Sequence, residues 1–170
     1  MIVAVDVHYR PDVAKAVGVL FESWTASEPH QIVETFIKEV AEYEPGAFYK
    51  RELPGILQVL ETIPQYSLEA IIIDGYVFLD DEGKRGLGAY LYEALGQRIP
   101  VVGFAKSSFH KNQKFVRQIF RSESKKPVFI TSIGIPVDEA AQNIESMLGD
   151  YRIPDMLRIT DQKTRENKSD

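Results

Sequence analysis

The chain has no cysteine. Disulfide cross-links, zinc–thiolate sites and a cysteine nucleophile are therefore excluded, and a reducing compartment, the cytoplasm, is the expected location. Long apolar runs are missing too: nothing approaches the roughly 18 residues needed to cross a bilayer. The N-terminus carries no basic stretch ahead of an apolar one, so neither a secretory leader nor a membrane partner is expected. Positive charge is in deficit, with 20 Lys and Arg against 25 Asp and Glu and a net charge of −5. Such a chain is a poor indiscriminate binder of nucleic acid. Internal repeats, low-complexity tracts and domain linkers are absent as well.

The positive charge that is present is unevenly placed. Residues 106–126 carry Lys106, Lys111, Lys114, Arg117, Arg121, Lys125 and Lys126 against the single acid Glu123. A local basic patch on an acidic protein can hold a polyanion; the plainer reading is a solvated loop and strand. With 170 residues, 44% of them hydrophobic, one domain buries roughly 70% of its unfolded surface and needs no cross-link. That domain is expected over residues 1–165, with 166–170 a frayed polar tail.

Residues 1–9 read as a buried strand and 13–22 as a second, joined by a turn at Pro11-Asp12. In residues 31–40, Ile32, Val33, Phe36, Ile37 and Val40 fall at helical spacing while the β-branched content favours a strand, and pattern alone leaves both open. Tyr43-Glu44-Pro45-Gly46 is a turn. Residues 53–60 form an amphipathic helix with Pro54 in its first turn. A fully buried strand covers 70–79, and a helix covers 85–95, closed by Gly96. Further strands are expected at 100–105, 114–120 and 127–131. A helix over 136–148 opens with Pro136 at its first position and is closed by Gly149, and a last helix begins at Pro154. The order predicts an α/β fold: a mixed sheet, antiparallel at first and parallel later, with helices on its faces. In such sheets the carboxyl ends of the parallel strands carry the site.

Three acids stand where that rule looks. Asp6 interrupts the run Met1-Ile2-Val3-Ala4-Val5, Asp74 follows Ile71-Ile72-Ile73, and Glu52 lies between them in Arg51-Glu52-Leu53-Pro54. A carboxylate at the end of a buried strand is costly unless a partner neutralises it. Where several converge, the usual partner is a divalent metal. Asp6, Glu52 and Asp74 are thus candidate catalytic and metal-binding residues, provided the fold brings them together. The plainer readings are a lysine partner for Asp6 and a helix-dipole role for Glu52. Asp80 and Asp81 read either as further metal carboxylates or as caps of the next helix. Arg158 and Asp161 read as a structural ion pair.

These residues also form a series. Asp6-Val7-His8-Tyr9, Tyr43-Glu44-Pro45-Gly46, Arg51-Glu52-Leu53-Pro54, Ile73-Asp74-Gly75, Gly103-Phe104-Ala105-Lys106-Ser107 and Arg152-Ile153-Pro154 to Arg158 to Asp161 occur in one order. In that order and spacing the chain resembles the endonuclease V (deoxyinosine 3′ endonuclease) family over nearly its whole length. The resemblance implies an RNase H-like fold, with residues 31–40 as a third strand of the meander. It also implies Mg²⁺-dependent hydrolysis, with Mn²⁺ as a substitute ion, of a phosphodiester on the 3′ side of inosine in DNA or RNA. On that basis Asp6 and Asp74 bind the metal, with Glu52 as a further ligand or as base for the attacking water. Lys106 contacts a phosphate. Tyr43, Pro45 and Gly46 belong to a wedge that parts the strands, and Gly75, Gly103 and Ser107 are candidates for reading the extruded base. The chemistry agrees: a carboxylate-held metal and a lysine suit phosphodiester hydrolysis, and an aromatic wedge with proline suits unstacking.

The chain departs from the family in three places. Where a His-Pro-Arg segment usually follows the Asp-Gly, residues 79–85 read Leu-Asp-Asp-Glu-Gly-Lys-Arg. Where a Gly-His usually precedes the last long helix, the sequence is Ser132-Ile133-Gly134-Ile135-Pro136. The helical segment that usually precedes the first strand is expected to be absent. Of the three histidines, His8, His30 and His110, only His8 shares a strand face with Asp6; it is a candidate to stand near the metal or simply a strand-end histidine. Two outcomes are open: a working metal-dependent endonuclease, or a catalytically weak or inactive relative that binds nucleic acid.

Overall fold

The structure is a computed structural model and describes residues 1–38, 42, 44–45, 47, 49–109 and 111–166. β1 (Ile2–Tyr9), β2 (Ala14–Phe21) and β3 (Gln31–Ile37) form an antiparallel meander. β4 (Ala70–Asp74) runs parallel to β1, and β5 (Val101–Ala105) parallel to β4. β7 (Val128–Ile133) and β6 (Arg117–Ile119) then pair antiparallel to β5 and to each other. Among the described residues this is one seven-stranded sheet of order β3-β2-β1-β4-β5-β7-β6. The sequence pattern predicted parallel strands to the end; the antiparallel return of β7 beside β5 differs from it.

The central strands are buried on both faces, which is why they read as unbroken apolar runs. Alternation along each strand sorts their side chains. Val3, Val5, Ile71 and Ile73 pack under α1 (Tyr49–Glu61) and α2 (Leu87–Ala94), while Ile2, Ala4, Ile72 and Phe104 pack under α3 (Val137–Ser146) and α4 (Asp155–Arg165). An α/β fold of the RNase H-like kind, with helices on both faces, results. Residues 31–37 are a strand, held by seven register pairs from Leu20↔Gln31 to Ala14↔Ile37. Tertiary pairing therefore decided a segment whose own composition did not. β4 stops at Asp74, short of the predicted residue 79, because Gly75 turns the chain at φ +135°.

Two devices position the helices that matter below. α1 begins at Tyr49, earlier than predicted, so Pro54 lies inside the helix rather than in its first turn. Gly55 lets this helix approach the sheet closely: a Cβ there would lie 2.6 Å from Ile37 Cδ1 and 3.4 Å from Ala16 Cβ and Val7 Cγ2. α4 is held at its C-terminal end by the β1–β2 hairpin. Arg10 donates to the carbonyls of Arg165 (3.2 Å) and Glu166 (2.6 Å). Lys15, only 1% exposed, donates to the Glu166 carbonyl (3.1 Å) and pairs with Glu34 (3.3 Å). Cations at the negative end of a helix satisfy carbonyls that have no partner inside it. Pro136 is the N-cap of α3 rather than its first helical residue. No helix among the described residues is long and apolar enough to cross a membrane.

Candidate active site

Asp6 and Asp74 come together through strand register. The β1–β4 ladder pairs Val5 with Ile73, so the two aspartates occupy the next rung, on strands about 4.8 Å apart. Both continue the series that faces α3 and α4: Ile2, Ala4, Asp6 on β1 and Ala70, Ile72, Asp74 on β4. Each is thus a charge at a core-facing position, at the level where β4 ends. Glu52 arrives from the opposite face. It occupies the buried stripe of α1 formed with Gly55, Ile56, Val59 and Leu60, and is 8% exposed.

The three carboxylates feel one another. Burial, followed by the charge of Asp74, pushes Asp6 up to about 7; Asp161 adds to the rise, while the Val7 N–H and Lys106 oppose it. Burial, followed by Asp6 and Asp74, pushes Glu52 up to about 8 against the pull of Arg51. Asp74 reaches solvent, yet the protein packed around the strand end still raises its pKa, with Asp161 adding and Lys106 opposing. Among the described residues none of the three has a salt-bridge partner within 4 Å, so the lysine partner considered for Asp6 is not found there. Among the described residues the Asp6 carboxylate accepts one hydrogen bond, from its own neighbour, Val7 N–H to Oδ1 at 2.9 Å. The Arg51 guanidinium instead lies over the Tyr9 ring, 3.9 Å from its centre.

Oxygen-only carboxylate donors gathered in a partly desolvated site suit a hard divalent cation, which would relieve their repulsion. As the side chains stand, no group of three His, Asp or Glu among the described residues is arranged to hold a metal ion. The fold therefore provides a neighbourhood of mutually repelling carboxylates, not a closed cage. His8 shares the Asp6 face but does not line the cleft between the sheet and α4.

That cleft has a volume of about 220 Å³ and takes Asp6, Asp74, Lys106, Arg158 and Asp161 into its lining. Asp161 differs from the sequence expectation. It pairs with Arg165 (3.2 Å), and Arg158 pairs with Asp155 (3.2 Å), so the expected Arg158–Asp161 pair does not form. Asp161 faces Asp6 and Asp74 instead. A signal for this exists in the four-residue spacing of Ile153, Leu157 and Asp161, which all line the cleft.

Other expected site residues divide. Lys106 follows β5 and stands by Asp6 and Asp74, lowering both. Ser107 is exposed, and its carbonyl accepts from the Tyr76 hydroxyl at 2.7 Å. Gly75 leaves open space where a Cβ would point. Gly103 is structural: a Cβ would lie 2.5 Å from Thr131 Oγ1 and 2.6 Å from the Gly75 carbonyl. Pro45 is exposed in a turn closed by Ala47 N–H on the Glu44 carbonyl (3.0 Å). Tyr43 and Gly46 lie outside the described residues.

Asp80 and Asp81 fold their own loop, neither capping α2 nor facing the cleft. Asp80 Oδ1 accepts from the N–H groups of Glu82 (3.0 Å) and Lys84 (2.9 Å), and Asp81 Oδ1 from those of Gln113 (2.6 Å) and Lys114 (2.7 Å). The basic stretch is also partly structural. Arg117 pairs with Asp138 at 2.7 Å. Arg121, 6% exposed, donates to the carbonyls of Ile144, Glu145 and Met147 at the end of α3. The Ser132–Pro136 turn sits beside Pro100, where Ile133 pairs with Val101 at the start of β5. It lies at the end of the sheet away from Asp74, so its lack of histidine leaves no gap in the carboxylate group.

Several known structures share this fold. Endonuclease V from Ciona intestinalis, in complex with a 24mer DNA containing an inosine followed by a ribo-adenosine, superposes with a TM-score of 0.79 at 17% identity, over 96% of this chain and 84% of that one. Human ENDOV gives 0.75 at 20% identity, over 96% and 82%. Endonuclease V of Bacillus subtilis gives 0.73 at 17%, over 96% and 77%. Identities this low establish the fold alone. No curated protein sequence matches the chain. The family model for endonuclease V, however, matches residues 1–119, and with that match over most of its length the chain belongs to the endonuclease V family of nucleases.

Proposed function

We propose that the protein is a metal-dependent endonuclease that hydrolyses a phosphodiester on the 3′ side of inosine in DNA or RNA. The observation that carries the reading is the placing of Asp6 and Asp74 one rung beyond the Val5–Ile73 pair of neighbouring parallel strands, with Glu52 of α1 near enough for both to raise its pKa. Buried charges of one sign are unfavourable for folding and are kept where chemistry needs them. The inosine-containing DNA bound by the Ciona relative supports the substrate class. The cysteine-free composition supports a cytoplasmic location.

In this reading Asp6, Asp74 and Glu52 hold Mg²⁺ or Mn²⁺, with Asp161 as a fourth carboxylate facing them. When bound, the ion lowers the pKa of a water molecule and neutralises charge on the phosphoryl oxygens. The chain's own groups do the rest. Glu52 serves either as a further ligand or, if it stays off the ion, as the base for the attacking water, a role that its raised pKa of about 8 without metal would suit. Lys106 supplies a point charge to the phosphate. Tyr43, Pro45 and Gly46 act as the wedge, and Gly75 and Ser107 meet the base; the basis for the wedge is the sequence resemblance.

The second reading, a relative that binds nucleic acid without cutting it, is favoured by the absence of a closed three-ligand arrangement among the described residues. One experiment separates the two. Single- and double-stranded oligonucleotides, with and without inosine, are incubated with the protein and Mg²⁺ or Mn²⁺. Metal-dependent cutting near inosine, abolished in Asp6→Ala, supports the nuclease; binding of all substrates with no cutting at any metal concentration supports the second reading.

A further inference from the structure

Next to a residue of the cleft lining, Arg158, lies an exposed aromatic ring that the carboxylate chemistry does not use. Tyr151 is 60% exposed, and the Arg158 guanidinium lies 4.7 Å from the centre of its ring. Arg158 also lines the cleft with Asp6, Asp74 and Lys106. Its Nε is buried and has no hydrogen-bond partner among the described residues. Its ion pair with Asp155 joins two partly exposed side chains and is of a kind that contributes little. A buried donor with no acceptor calls for an explanation, and an anion in the cleft would supply one.

Tyr151 is not exposed for want of anchoring. Its neighbour Arg152 donates to the carbonyl of Pro127 (2.7 Å), to that of Lys126 (3.2 Å) and to that of Lys106. The loop is therefore tied to the residue whose ammonium stands at the carboxylates. On its other side, Asp155 N–H donates to the Leu148 carbonyl (3.0 Å), and Gly149 packs so closely on Asp155 that a Cβ would lie 2.9 Å from Asp155 Oδ1. An aromatic ring on a braced loop loses little freedom when something stacks on it. Acids are present as well, Asp150 and Asp155 beside the loop, so the surface is not a bare cationic patch.

Resting on the nucleic-acid reading above, we propose that Tyr151 and Arg158 form a nucleotide subsite at the rim of the cleft. The free face of the Tyr151 ring stacks on one base of an unpaired strand. The guanidinium backs the ring on its other face and, with Lys106, takes a phosphate of the same strand. Aromatic stacking is tolerant of base identity, and arginine suits phosphate through its fork of donors. The subsite would fix how the strand crosses the carboxylates without reading inosine itself.

The test uses the full chain with EDTA present, so that binding is read without cutting. The fluorescence anisotropy of a labelled single-stranded oligonucleotide is measured for a series in which one abasic residue is moved along the strand. For the wild type, one abasic position is expected to weaken binding by roughly 5–150-fold. Tyr151→Ala is expected to lose the same factor on the intact strand and to become insensitive to that one abasic position, while Tyr151→Phe behaves as the wild type. Arg158→Gln should reduce the steepness of the salt dependence by about 0.7 in log–log slope. Unchanged melting temperatures confirm that the variants fold. If Tyr151→Ala binds like the wild type, or is weakened equally whichever position is abasic, the subsite is refuted while the nuclease reading stands. If the wild type binds no oligonucleotide, both fall.

Discussion

Asp74 and Asp81 are near neighbours in the chain and opposites in chemistry. Asp74 ends a buried strand, accepts no hydrogen bond among the described residues, and has its pKa raised by burial and by Asp161. Asp81 accepts two backbone N–H groups from a loop far along the chain and has its pKa lowered by them. The same contrast divides the bases. Arg121 is spent on three carbonyls at the end of α3, whereas Lys106 stands exposed beside two carboxylates. A charged residue whose valences are filled by backbone groups builds the fold; one surrounded by like charges or left unpaired is available for chemistry.

The largest expected effect contrasts the two aspartates directly. Asp74→Asn should lower metal-dependent cutting of an inosine oligonucleotide by about three orders of magnitude or more, roughly 4 kcal/mol on the barrier. Asp81→Ala should leave cutting within a few-fold and lower the melting temperature. Equal losses of activity in both variants would erase the distinction.

Next comes pH. Asp6 and Glu52 titrate near 7 and 8 in the folded protein, against ordinary values of 3.8 and 4.5. Between about pH 4 and pH 8 the folded chain therefore keeps protons that the unfolded chain has released. Metal-free stability should be fullest below about pH 4 and fall as pH rises to about 8, by an amount of order a few kcal/mol. Urea melts across that range, with and without Mg²⁺, measure it. Mg²⁺ should restore stability at the alkaline end, and Glu52→Gln should flatten the metal-free curve.

Among the bases, Arg121→Ala should cost about 2–4 kcal/mol, because it strips buried carbonyls of a charged donor. Lys106→Ala should change stability by less than about 0.5 kcal/mol and weaken oligonucleotide binding; denaturant melts and anisotropy report the pair. The last test concerns helix seating. Gly55→Ala should change stability by less than about 1 kcal/mol, because the Ile37 Cδ1 that its Cβ would meet can rotate aside and alanine is favoured in a helix; melts with and without Mg²⁺ measure it.

Much of the candidate site is visible in one dimension. Asp6 and Asp74 announce themselves because each breaks an apolar run at a core-facing position. Glu52 is visible as a charge in the stripe completed by Ile56, Val59 and Leu60. Asp161 was passed over because a nearby arginine offered a simpler partner, and helical spacing alone does not say which aspartate turns to which arginine. The cluster at residues 106–126 looked uniform for a related reason. Composition counts Arg121 and Lys106 alike, although one is buried in helix-end carbonyls and the other is exposed beside carboxylates, with no ion pair among the described residues. Residues 31–37 had no preference strong enough to resolve them until β2 provided a ladder.

Local order and residue chemistry were thus written along the chain: where apolar runs begin and stop, where glycine turns the backbone, and which side chains can carry charge. Pairing was not. The return of β7 beside β5, the reach of Arg10 and Lys15 to the end of α4, and the company kept by each carboxylate all depend on contacts between segments distant in sequence. Desolvation and Coulomb interactions act through space, so a carboxylate becomes reactive or structural only once its neighbours have been folded around it.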